Sequence, residues 1–232
     1  MADQYDPRTR KLLELIRKTE TGKTGPEAYD TMFGHNKIAP PLTQMTVNEA
    51  IAAGPRWTKL HRSSAAGAYQ FMNATLKDLK RTLKLTGHEV LAPSFQDRLA
   101  VALLERRGWS KFLAGQMKFG EFAENLAKEW ASFPVIWPSQ GAHRFLERGQ
   151  SYYAGDGLNK ALIAPEVVEK LLDDVTGGMS ASPPAPPKAP IPVETLSPAD
   201  PAPSAPPMVM RVALALLVIV AVIGAILLHS RG

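Results

Sequence analysis

The chain has 232 residues, 45% of them hydrophobic, and a formal net charge of +5, which supplies one sizeable core with sequence left over. It contains no cysteine, so disulfides, thiolate nucleophiles and Cys-ligated zinc are excluded together. The five histidines show no HExxH-type metal spacing, and there is neither a P-loop nor a Gly-x-Gly-x-x-Gly after a strand. A pI near 9.4 favours anionic partners without choosing among them.

Met1-Ala-Asp-Gln-Tyr-Asp-Pro has no apolar core, so no secretory leader is expected. Asp6-Pro7 predicts a helix start, with Asp as N-cap and Pro in the first turn. Leu12, Leu15, Ile16 and Thr19 then trace one buried stripe, and Glu20 lies four residues past Ile16 on that side. A carboxyl aimed inward at a helix C-terminus is desolvated and meets the negative end of the helix dipole; both raise its pKa, as a general acid requires. The alternative is a surface ion pair with Arg17 or Lys18.

Residues 21–45 are broken by Gly22, Gly25, Gly34 and Pro40-Pro41, which predicts loops with a small hairpin near Tyr29-Asp30-Thr31-Met32-Phe33-Gly34. Thr46 to Glu49 reads as a capping box, opening a short helix that Gly54-Pro55 is expected to stop. In Ser63-Ser-Ala-Ala-Gly-Ala-Tyr-Gln-Phe-Met72, small residues allow close backbone approach, while Tyr69 and Gln70 offer hydroxyl and amide groups to a sugar. The alternative there is close packing of a helix start on its neighbour.

Leu76, Leu79 and Leu83 predict an amphipathic helix whose Lys77, Lys80, Arg81 and Lys84 form a solvated face. Ser94 with Asp97 is read as the cap of another helix, carried by Leu99, Leu103 and Leu104 and ended by Gly108. Phe119, Phe122, Leu126 and Trp130 predict a further helix with a core-facing stripe, closed by Pro134. Trp137 and Tyr152-Tyr153, in Gly- and Pro-rich surroundings, are candidates for stacking on sugar rings. Pro165 opens a last helix through Val175, and Gly177-Gly178 ends the globular part, giving a domain over residues 1–178.

Residues 179–207 read as a Pro/Ala-rich linker: 11 of the 25 residues from Pro183 to Pro207 are proline, so this stretch cannot pack a core. At ~3.1 Å per residue it is a semi-stiff tether reaching at most about 80 Å. Residues 208–228 are expected to form a transmembrane helix, since Val212 to Leu228 is an uncharged run, with 229–232 as a short tail. Arg211 and Arg231 bracket the span, so charge gives no orientation. A single-pass protein of the bacterial inner membrane, anchored in the bilayer by its C-terminal helix, is the expectation.

Glu20, the Tyr29-Asp30 region, Ser64-Ala-Ala-Gly-Ala-Tyr-Gln70, Phe95-Gln-Asp97 and Trp130-Ala-Ser-Phe-Pro134 follow one another in an order that resembles the bacteriophage lambda-type endolysins, lytic transglycosylases of the lysozyme-like superfamily. The likeness covers roughly residues 8–150. It implies a mostly helical α+β, lysozyme-like fold in two lobes with the glycan strand between them. It further implies that Glu20 is the sole catalytic carboxylate for cleavage between N-acetylmuramic acid and N-acetylglucosamine, leaving a 1,6-anhydro sugar, with no metal or cofactor. Tyr69 and Gln70 would position the sugar and Ser64 would line the groove; the partner is peptidoglycan, and no nucleic acid is expected. Thr21 departs from the family pattern, which commonly has glycine directly after the acid. Two other readings stay open: a hydrolytic muramidase using Asp30 as second carboxylate, and an inactive membrane-tethered peptidoglycan-binding module.

Overall fold

The computed structural model describes residues 5–35 and 38–178. The linker over 179–207, the span over 208–228 and the tail lie outside the described residues. Among the described residues no helix is long and apolar enough to cross a membrane.

The architecture is mostly helical with a small sheet. Helix α1 spans Pro7–Thr21, capped by the Asp6 carboxylate and closed by Gly22 at φ +68°. Short 3-10 turns follow at Pro26–Asp30, Phe33–His35 and Leu42–Gln44. Next come α2 (Val47–His61), α3 (Asn73–Thr82), α4 (Pro93–Arg106), α5 (Trp109–Leu113) and α6 (Phe119–Glu129). A two-residue antiparallel pair, β1 (Ser139–Gln140) and β2 (Phe145–Leu146), precedes α7 (Pro165–Thr176).

Leu12 and Ile16 of α1 are fully buried, beside Leu99 and Leu103 of α4 in the same core. Phe112 and Phe122 stack at 4.5 Å between ring centroids and lock α5 to α6, with Trp109 at 5.4 Å from Phe122. The Trp109 indole N–H donates 2.9 Å to Thr9 Oγ1, which ties this aromatic cluster to α1. The aromatic stripe of α6 is core, as its spacing predicts.

Several local expectations are corrected. Residues 21–45 hold no hairpin among the described residues; Met32 makes an isolated antiparallel bridge with Ala66 instead. The N-cap of α4 is Ala92 with Pro93 in the first turn, not Ser94, and Asp97 is turned to other partners. Helix α6 ends at Glu129, five residues before Pro134. The sequence pattern does not predict helix α5 or the β1–β2 pair.

The Thr46–Glu49 capping box opens α2, but Gly54-Pro55 does not stop it. A proline inside a helix leaves the carbonyl four residues earlier without its donor. Here that carbonyl belongs to Ile51, and the Asn73 side-chain amide at the start of α3 donates to it at 2.7 Å. Gly54 makes room: a Cβ there would meet Asn73 Nδ2 at 2.0 Å. Asn73→Ala should therefore cost about 1–2 kcal/mol by leaving a partly buried carbonyl unpaired. Pro55→Ala should recover more stability in the Asn73→Ala background than in the wild type, because alanine restores a backbone donor at that position; urea denaturation of the four proteins reads the coupling.

Candidate active site

A cleft of about 670 Å³ is lined by residues from α1, the 31–34 and 63–75 segments, the end of α4, the end of α6 with Ala131 and Ser132, and the 153–162 loop. Glu20 lines it from the last turn of α1. Among the described residues no cation pairs with it: Arg17 instead donates 2.8 Å to the Tyr29 hydroxyl. The Glu20 partner is Ser132, whose hydroxyl donates to Glu20 Oε1. Burial pushes the carboxyl up from 4.5 to about 7, and the Ser132 hydrogen bonds pull in the opposite direction without cancelling it.

Ser132 is held from several sides. Helix α6 ends just before it, Ser151 Oγ donates 2.7 Å to the Ala131 carbonyl, and the Leu162 N–H donates 2.8 Å to the Ser132 carbonyl. Ser132 sits inside the Trp130-Ala-Ser-Phe-Pro134 motif, but nothing in the motif by itself singles it out as a partner of Glu20. A small hydroxyl residue within that motif was the available signal.

The part of the lining formed by Tyr69 and Gln70 is backed by two buried polar residues of α4. Gln96, with no exposure, accepts from the Ala68 N–H at 3.0 Å and donates to the carbonyls of Tyr29 and Leu91 at 3.0 and 2.8 Å. Gly67 is required beside it: its φ is +81°, and a Cβ would meet Gln96 Oε1 at 2.3 Å. Asp97 Oδ1 accepts from the hydroxyls of Tyr69 at 2.5 Å and Tyr29 at 2.9 Å. Burial and the Asp97 charge raise both phenols, Tyr29 to about 12, so both remain donors.

The remaining sequence candidates are placed as follows. Gln70 lines the cleft at φ +49°, with Nε2 donating to the carbonyls of Thr31 and Gly67, which leaves Oε1 for a ligand. Tyr69 also borders the cleft but is 1% exposed with its hydroxyl engaged by Asp97, so it shapes the wall and does not offer that hydroxyl to a sugar. Ser64 is buried, accepts from the Asn73 N–H at 2.9 Å and is absent from the lining, where Ser63 appears. Asp30 lies outside the lining; its two oxygens accept from the N–H and hydroxyl of Thr43 at 2.7 and 3.1 Å. Trp137 is also outside it, packed so closely over Gly120 of α6 that a Cβ there would meet its ring at 1.7 Å. Tyr153 does line the cleft, its hydroxyl donating 2.7 Å to the Lys128 carbonyl.

Among the described residues two carboxylates line the cleft, Glu20 and Glu129. Glu129 is clamped by Arg106 on both oxygens, at 3.0 and 3.1 Å, and by Arg107 Nε at 2.6 Å. The two therefore have opposite surroundings: one carboxyl lacks a cation and can hold a proton near neutrality, the other is held between two guanidiniums.

A raised native pKa means that the folded state binds the Glu20 proton more tightly than the unfolded chain. Stability is fully present below about 4.5 and falls as pH rises to about 7. Glu20→Gln should stabilise the protein above that window, by up to about 3 kcal/mol, and change little near pH 4; denaturation midpoints at the two pH values test this. Ser132→Ala removes an interaction that favours the charged form, so the Glu20 carboxyl resonance should titrate at higher pH than in the wild type.

Among known proteins, a family model described as Endolysin matches residues 10–158. No curated protein and no solved structure matches the chain.

Proposed function

The chain belongs to the endolysin family, peptidoglycan-cleaving enzymes, and from that premise we propose that it is a lytic transglycosylase with Glu20 as its only acid–base residue and a lysozyme-like, two-lobed domain. The observation that carries the reading is the protonatable Glu20, held by Ser132 in a cleft whose other carboxylate is clamped by Arg106 and Arg107. Hydrolytic glycosidases ordinarily use two working carboxylates. Asp30 is engaged by Thr43 and outside the lining, which counts against the muramidase alternative.

In the proposed reaction Glu20 donates its proton to the glycosidic oxygen as the muramoyl C1–O4 bond breaks. The resulting carboxylate then accepts the proton of the muramoyl C6 hydroxyl as that oxygen bonds to C1. The 1,6-anhydro ring forms, Glu20 regains its proton and no water is consumed. The Ser132 hydrogen bond on Oε1 leaves Oε2 for the scissile oxygen, and Gln70 Oε1 accepts from a sugar hydroxyl or acetamide N–H. We further propose that residues 208–228 anchor the enzyme in the bacterial inner membrane, with the proline-rich linker as its tether.

Mass spectrometry of fragments released from purified peptidoglycan tests the chemistry. Anhydro-muramoyl ends are expected; reducing ends carrying solvent oxygen would establish a muramidase, and wall binding without fragments would establish a binding module. Glu20→Gln should lower cleavage by at least about a hundredfold while the protein stays folded. Deleting residues 208–232 should move the protein out of the membrane fraction with its wall-cleaving activity retained.

A further inference from the structure

Among the described residues four cationic ones line the cleft: Arg106, Arg107, Lys128 and Lys160. The N-acetylated amino-sugar backbone of peptidoglycan is uncharged, so gripping it requires no cation at all. Three of the four are engaged within the protein. Arg106 bridges Asp78 and Glu129, Arg107 also binds Glu129, and Lys128 pairs with Glu124 at 2.7 Å. Lys160 is exposed and has neither a hydrogen bond nor an ion pair with any described residue.

Its loop is nevertheless well defined. Asp156 accepts from the N–H groups of Leu158 and Asn159 at 2.8 and 2.9 Å, and the Leu162 N–H bonds the carbonyl of Ser132. The segment carrying Lys160 is thus fastened to the residue that holds Glu20. Leu158 and Leu162, also in the lining, are 50% and 64% exposed on either side of it. A free cation between two exposed aliphatic side chains fits an acid displayed among short apolar groups.

We propose that the 158–162 rim, through Lys160, recognises a carboxylate carried by the substituent of the muramoyl residue, so that the preferred substrate is an acidic, stem-bearing strand. The inference rests on the glycosidase reading. On such a strand the carboxylates are those of the peptide stem, set among alanyl methyl groups that suit Leu158 and Leu162; the lactyl carboxyl, an amide wherever a stem is attached, offers the same charge only where the stem has been removed. The ion pair forms at an exposed site, so it acts on substrate affinity and weakens with salt.

The test compares full-length wild type, Lys160→Glu and Lys160→Arg at low ionic strength. Three soluble substrates are used: stem-bearing strands, the same strands with carboxylates amidated by carbodiimide coupling, and strands stripped of stems by an amidase. On stem-bearing strands Lys160→Glu should raise KM about two- to fivefold with kcat retained, and Lys160→Arg should restore it. The difference from wild type should shrink on amidated strands. On stripped strands, where only the lactyl carboxylate is left, the effect should disappear; an effect confined to stripped strands would assign the carboxylate to the lactyl group and overturn the preference for stem-bearing strands. A wild-type KM for Lys160→Glu on stem-bearing strands, or an equal rise on amidated ones, overturns the proposal alone. Wild-type protein that cleaves none of the three overturns the glycosidase reading and this inference with it.

Discussion

The carboxylate of Asp97 is the point on which the rest of the fold depends. It is buried behind Tyr69, which borders the cleft, and accepts from two tyrosine hydroxyls that reach it from different segments. Arg17 of α1 closes the set by donating to Tyr29. A buried carboxylate is tolerable only when such donors replace water, so this one group fixes the relative positions of α1, α4 and the loops at residues 29 and 69. Gln96, its neighbour on α4, binds one backbone group of each of those segments and the Leu91 carbonyl, and fills the space that Gly67 leaves open. With both residues on one turn of one helix, the wall is set as a unit.

Glu20, which lines the cleft itself, is the contrasting carboxyl. Asp97 receives hydrogen bonds from two hydroxyls in a tight polar shell, whereas among the described residues Glu20 has Ser132 as its partner and burial dominates. The difference is one of donors, since both groups are carboxyls packed into the same domain. The fold holds one carboxyl in a satisfied polar shell and another in a less favourable setting, the kind of division found where a carboxyl is kept for chemistry.

Much of the scaffold was legible because it is written in short-range signals. Asp6-Pro7, the Thr46–Glu49 box, the stripes of α1 and α6 and the Pro165 start all report on residues within a turn or two of each other. The inward aim of Glu20 followed from the same periodicity. Illegible features depend on partners far along the chain. Pro55 looks like a stop until Asn73, eighteen positions later in sequence, supplies the missing donor. Tyr69 looks like a sugar ligand until Asp97 takes its hydroxyl, and Asp30 like a second acid until Thr43 occupies both of its oxygens. Ser132 is 112 positions from Glu20, and no local pattern connects them. Polar side chains announce chemistry in a sequence, but which of them stays free is decided by tertiary contacts.

Every long-range tie described for this domain is a hydrogen bond, an ion pair or an apolar contact, in a chain without a single cysteine. Its native state therefore contains no bond that forms only on oxidation and none that glutathione or thioredoxin can undo. The folded domain is the same object in a reducing cytosol and in an oxidising envelope. Maturation needs no oxidant and no disulfide isomerase, so the active fold is reached in whichever redox environment the chain is made. Redox state therefore gives no handle on when the enzyme acts, and oxidative assembly imposes no delay on it.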